Sequence, residues 1–181
     1  MRLEGEGMAE LRKMTMGEIA EIADLPKETA RARLKTALGG IKNSYGWARF
    51  DVPSTLRIAV HAEMMRRTGI GQIALRTADF VAGSYHNFAA TPPHTIRRKG
   101  QLDGSYLVFR QLSEGEPIWN GTWCPSQKEA LNLAGEYIFE SSLCMEAAGF
   151  YFLNVSTVAD WALDRIFDLQ GIDGNEARVP Q

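Results

Sequence analysis

Apolar and polar positions follow a helical period in the first half of the chain and gather into short β-branched and aromatic runs in parts of the second. From Thr15 the spacing is helical, with Met16, Ile19, Ala20 and Ala23 three or four apart. Thr15-Met16-Gly17-Glu18 fits the capping box, in which a Thr hydroxyl and a Glu three residues later satisfy the free amides of a helix start. Asp24-Leu25-Pro26 interrupts the pattern, and Pro26 suits the first turn of a new helix. A second helix is predicted from Lys27 to about Leu38, with Ala30, Leu34, Ala37 and Leu38 on its buried face. The opposite face presents Glu28, Thr29, Ala32, Lys35 and Thr36, with Arg31 and Arg33 on the flanks. Gly39-Gly40 ends it. The next stretch, GGIKNSYGWARF, has no helical period and can form a short two-stranded wing. Asp51-Val52-Pro53 opens a third helix, stopped by Gly69, and Ile70 to Ala82 reads as a fourth, ended by Gly83.

The second half reads differently. Ser84 to Pro93 is polar and turn-rich and fits a linker, since Pro92-Pro93 suits neither a helix nor a central strand. Ser105 to Leu112 and Pro117 to Cys124 are rich in β-branched and aromatic residues and read as a hairpin. Ser126 to Glu129 is another capping box, opening a helix through Ala130, Leu131, Leu133, Ala134, Tyr137 and Ile138. Phe150 to Val155 reads as a strand, and Thr157 to Asp160 as the cap of a last helix ending near Leu169. The expected fold is α+β. A mainly helical winged helix-turn-helix domain (15–83) precedes a linker (84–93) and a small β-β-α-β-α domain (94–169), with flexible termini at 1–14 and 170–181.

Charge changes the picture. The net charge of −2 hides two opposed parts. Residues 27–67 carry 9 Lys/Arg and 3 Asp/Glu, and residues 68–112 carry 5 and 2. Residues 113–181 carry 3 and 11. A basic block before an acidic one points to a polyanion-binding part joined to a part with another task. With only two Cys there is no disulfide framework, no apolar run approaches a membrane span, and the acidic start lacks a secretory pattern, so the expected compartment is the cytoplasm.

Two short helices joined by a tight turn, with Arg, Lys, Thr and a small Ala outward, describe a DNA-reading helix-turn-helix. Arg and Lys neutralise phosphates or fork onto guanine, Thr reaches phosphate or base, and Ala lets the backbone approach the major groove. Lys27, Thr29, Arg31, Arg33 and Lys35 are therefore the expected groove contacts, with Lys42 and Arg49 on phosphates from the wing.

The order resembles the DNA-binding domain of the MerR family over residues 15–82. The matching pieces are Met16-Gly17-Glu18-Ile19-Ala20, Thr29-Ala30-Arg31, Arg49-Phe50, Leu56-Arg57-Ile58 and Arg66-Arg67-Thr68-Gly69-Ile70. Ala32-Arg33 stands where that family carries a Tyr pair. No heptad run follows Gly83, where the family places its dimerising helix, so self-association is expected from the aromatic-rich second domain, giving a homodimer on duplex DNA.

Other chemistry is weaker. Gly69-Ile70-Gly71-Gln72-Ile73-Ala74 matches a dinucleotide-binding pattern literally, but a helix rather than a strand precedes it. Cys124, Cys144 and the three His lack metal-ligand spacing, and nucleophile signatures are missing, so no enzyme activity, metal or cofactor is expected. Trp119 and Trp123 should share one face of a strand as core or interface. The expected function is a homodimeric, sequence-specific transcriptional regulator. The alternatives are an excisionase-like DNA-bending factor and a protein-interaction or ligand-sensing module without DNA binding.

Overall fold

The computed structural model describes residues 11–37, 49–89, 105–112, 118–144 and 150–173. Helix α1 spans Met16–Ile22. Thr15 Oγ1 accepts from the Glu18 amide at 3.3 Å, and the Glu18 carboxylate accepts from the Thr15 amide at 2.7 Å, closing the capping box. The chain then turns through Asp24, whose φ of 52° is the left-handed conformation that Asp tolerates better than most residues. Helix α2 follows at Lys27–Ala37.

Helix α3 spans Val52–Thr68. Asp51 Oδ1 accepts from the Ser54 amide at 2.9 Å, and Pro53 occupies the first turn, where no amide partner is needed. Gly69, at φ 68°, supplies the left-handed residue that ends α3. Helix α4 is Gly71–Gly83, and it packs along α3 more extensively than any other pair of elements. A short α5, Tyr85–Ala89, follows.

Strands β1 (Tyr106–Leu112), β2 (Ile118–Cys124) and β3 (Phe150–Asn154) form one antiparallel sheet in the order β2-β1-β3. Helix α6 spans Gln127–Cys144 and α7 spans Val155–Gln170. Side chains alternate across β1. Tyr106 and Val108 pack with Cys124, Ala130 and Ala134 under α6. Leu107 and Phe109 point the other way, into a core shared with α1, α3, α4 and α7. The central strand is buried on both faces, which explains its unbroken apolar run, Tyr106-Leu107-Val108-Phe109. Gly121 lies opposite Phe109, and a Cβ there would fall 2.6 Å from the ring, so the close approach requires glycine. Trp119 and Trp123 share the Phe109 face, Trp119 buried and Trp123 half exposed.

Four features differ from the sequence reading. The first half of the expected linker is helical, and Phe88 of α5 is buried in the core. One cluster of buried apolar side chains joins Ile58 and Ile73 to Phe109, Leu163 and Ile166, so the segments on either side of 84–93 share a core. The ends expected to be flexible are packed over residues 11–14 and 170–173. Met14 is fully buried and bridges antiparallel to Phe50, and the Gln170 side chain exchanges hydrogen bonds with the Arg12 backbone at 3.1 and 3.2 Å. The last helix starts at Val155, because Asn154 Oδ1 accepts from the Thr157 amide and takes the capping role expected of Thr157. No helix among the described residues is long and apolar enough to cross a membrane.

Candidate nucleic-acid interface

Among the described side chains of helix α2, one small residue is fully buried. Ala30 is fully buried, and α2 lies against α1 and α3. Its outward surface carries Lys27, Glu28, Thr29, Arg31 and Ala32, all exposed. Arg31 Nη1 donates to Glu28 Oε1 at 2.6 Å across one helical turn. Both side chains are open to water, so this pair holds Arg31 only weakly and leaves it available to another anion. Arg33 differs from its neighbours: it is half-buried, and its Nε is shut off from solvent with no hydrogen-bond partner. The side chain of Lys35, and Lys42 with the expected wing, lie outside the described residues. Arg49 is exposed, directly before Phe50, whose amide and carbonyl each bond Met14 at 2.8 Å. The chain after α2 thus returns to the start of α1, and Arg49 is placed there.

The turn between α1 and α2 is held from behind by two arginines. Arg66 on α3 donates from Nη1 to the carbonyls of Ala23 at 3.0 Å and Asp24 at 3.2 Å. Arg165 on α7 donates to the Ile22 carbonyl at 2.9 Å. These carbonyls end α1, where the helix carries partial negative charge and lacks internal donors. Trp161 of α7 meets both guanidinium groups, its ring centroid 6.0 Å from that of Arg66 and 5.0 Å from that of Arg165. Glu63 fixes Arg66 from α3 itself, at 2.5 Å. A cavity of about 490 Å³ beside this cluster is lined by Glu21, Ile22, Asp24, Arg165, Asp168 and Leu169. Its three carboxylates make it a poor place for a polyanion.

Beneath α2 sits His61 of α3, buried, with Nδ1 lacking a partner. Burial holds its pKa below the usual histidine value, Arg33 adds to the effect, and Asp79 partly opposes it. Asp79 in turn pairs with Arg57 at 2.8 Å. His61 thus lies within electrostatic reach of Arg33 on the α2 flank.

Among the described residues, no group of three His, Cys, Asp or Glu side chains is placed to hold a metal ion. Cys124 is a small buried core residue. Lys27, Thr29 and Arg31 are all exposed on α2, Lys27 and Arg31 one turn apart and Thr29 farther round the helix, and Arg33 is half-buried. The sequence reading missed the roles of Arg66 and Arg165. Arg66 carried a signal in the Arg66-Arg67-Thr68-Gly69 stretch, whereas nothing local marks Arg165, which acts across 143 positions. No family model matches the chain, and no curated protein is detectably similar to it.

Proposed function

We propose that this chain is a sequence-specific DNA-binding transcriptional regulator that acts as a homodimer. On this reading, residues 15–82 are a MerR-like winged helix-turn-helix and α2 is the recognition helix. The observation that carries the reading is the outward surface of α2. Lys27, Thr29, Arg31 and Ala32 are exposed on a helix whose Ala30 is fully buried, and the turn before it is tied down by Arg66 and Arg165. A helix that reads the major groove needs this combination: donors for phosphate and base edges, a small residue for close approach, and a fixed entry angle. On this reading Arg33 and Lys35 join Lys27, Thr29 and Arg31 in contacting the groove and its flanking phosphates, and Lys42 and Arg49 reach phosphates from the expected wing. The acidic residues 113–181 limit non-specific attraction to DNA, so binding should be strongly salt-dependent. Selection of bound fragments from genomic DNA tests the reading. A recurrent two-fold sequence supports a dimeric regulator; no enrichment over input rejects it.

A further inference from the structure

Basic side chains continue beyond α2. Arg57 of α3 pairs through Nε with Asp79 Oδ1 of α4 at 2.8 Å, and both side chains are partly open to water. Arg76 stands one helical turn before Asp79 on α4, exposed, with no ion pair or hydrogen bond among the described residues. These two arginines therefore have one exposed carboxylate between them. The other end of α3 is different: Glu63 binds both Arg66 and Arg67, and Arg66 is further occupied by the turn carbonyls. The Arg57–Arg76 patch also adjoins α2. His61, one turn beyond Arg57 on α3, feels the charges of both Arg33 and Asp79, so the α2 flank, α3 and the Asp79 end of α4 come together here. Arg33, Arg57 and Arg76 thus set three cations against one carboxylate.

We infer that Arg57 and Arg76 hold phosphates of the DNA strand bordering the groove that α2 enters, an inference that rests on the DNA reading proposed above. Distance favours this occupant. Packed helix axes lie about 8–10 Å apart and the major groove is about 12 Å wide, so helices beside a docked helix reach the phosphate rim. Charge favours it too. An exposed Arg–Asp pair is weak in water, so Arg57 can exchange Asp79 for a phosphate, and Arg76 has no pair to break. Neither contact touches a base. Both arginines therefore position the chain on the duplex and add no sequence preference.

Fluorescence anisotropy of the full chain over a salt series, with the duplex recovered by selection and with a shuffled duplex, reads these contacts. Arg57→Gln and Arg76→Gln should each make the slope of log affinity against log salt shallower by about one on either duplex, and by about two together. Arg76→Lys should keep the wild-type slope, since a single phosphate contact needs a cation and not a fork. Asp79→Asn removes the competing carboxylate and should tighten binding to both duplexes about twofold to fivefold. Lys128→Gln removes an exposed cation from α6 and controls for total charge, so its slope should match the wild type. Arg76 is exposed and unpaired, so Arg76→Gln should leave the melting temperature unchanged, which separates lost contact from lost fold. A wild-type slope in either glutamine variant, or an equal drop in Lys128→Gln, overturns the inference. A chain that binds DNA with an unaltered slope in both variants keeps the DNA reading and loses only this patch. A wild-type chain that binds neither duplex loses both.

Discussion

Arg66→Met removes the donors that hold the α1–α2 turn while keeping an apolar stem beside Trp161. Arg66 donates to two turn carbonyls, at 3.0 and 3.2 Å, and pairs with Glu63. A hydrogen bond from a charged group contributes about 1.5–3 kcal/mol when its partners are buried. Here the Arg66 side chain is 36% exposed, and freed carbonyls near the surface regain water, so the bonds together contribute about 1–2 kcal/mol. For a chain of this size that lowers the melting temperature by about 3–6 °C. Arg67→Met is the control. Arg67 pairs with Glu63 at 2.7 Å on an exposed surface and touches no turn carbonyl, so its loss costs less than about 0.5 kcal/mol. Thermal unfolding and amide exchange at residues 23–27 read the difference directly. Equal melting temperatures for the two variants, with unchanged exchange in the turn, would refute the claim that Arg66 fixes the turn.

Other consequences follow from single groups. The Arg12 guanidinium lowers the Glu18 carboxyl to about 2, against burial that opposes it, so the capping box should hold above about pH 4.5 and weaken as pH falls toward 2. Arg12→Ala should move the Glu18 titration seen by NMR back up, and an unmoved midpoint removes the pair. His61 has its folded pKa below the unfolded value of 6.5, so the unfolded chain binds the proton more readily. Stability is then full above pH 6.5 and declines as pH falls below it, and His61→Leu should flatten that part of the profile. A wild-type profile already flat between pH 6.5 and 5 contradicts the burial argument. Gly121→Ala should destabilise the chain by about 1–3 kcal/mol through its clash with Phe109, and Phe109→Leu in the same chain should recover part of that loss. Additive losses in the double variant would place the strain elsewhere.

Local signals were the legible part of this fold. Thr15 and Glu18, Asp51 and Gly69 marked helix ends because capping is settled within four residues. The hairpin was legible because two short runs of β-branched and aromatic residues flank a turn, and the central strand because burial on both faces leaves an apolar run. Contacts between distant segments left no such trace. The Met14–Phe50 bridge, the Gln170–Arg12 exchange and the Arg165 tie join residues 36 to 158 positions apart, and no spacing in the sequence encodes them. Phe88 shows the same limit: a short polar stretch reads as linker until a core is present to take one aromatic ring. At the candidate interface, the exposure of Thr29 was legible from helical phase, with Arg31 on the flank, and Lys27 was legible from its charge in the first turn. The partial burial of Arg33 was not, because it depends on the neighbouring helices against which α2 packs.

The central claim is that α2 reads duplex DNA. Fluorescence anisotropy with the duplex recovered by selection, beside a shuffled duplex of the same length, tests it most directly. The wild-type chain should bind the selected duplex more tightly, with affinity falling steeply as salt rises. Arg31→Ala should weaken that binding by about 1–3 kcal/mol while leaving the shuffled duplex nearly unaffected. An Arg31→Ala chain that binds the selected duplex as well as the wild type, or a wild-type chain that binds neither duplex at low salt, would contradict the account.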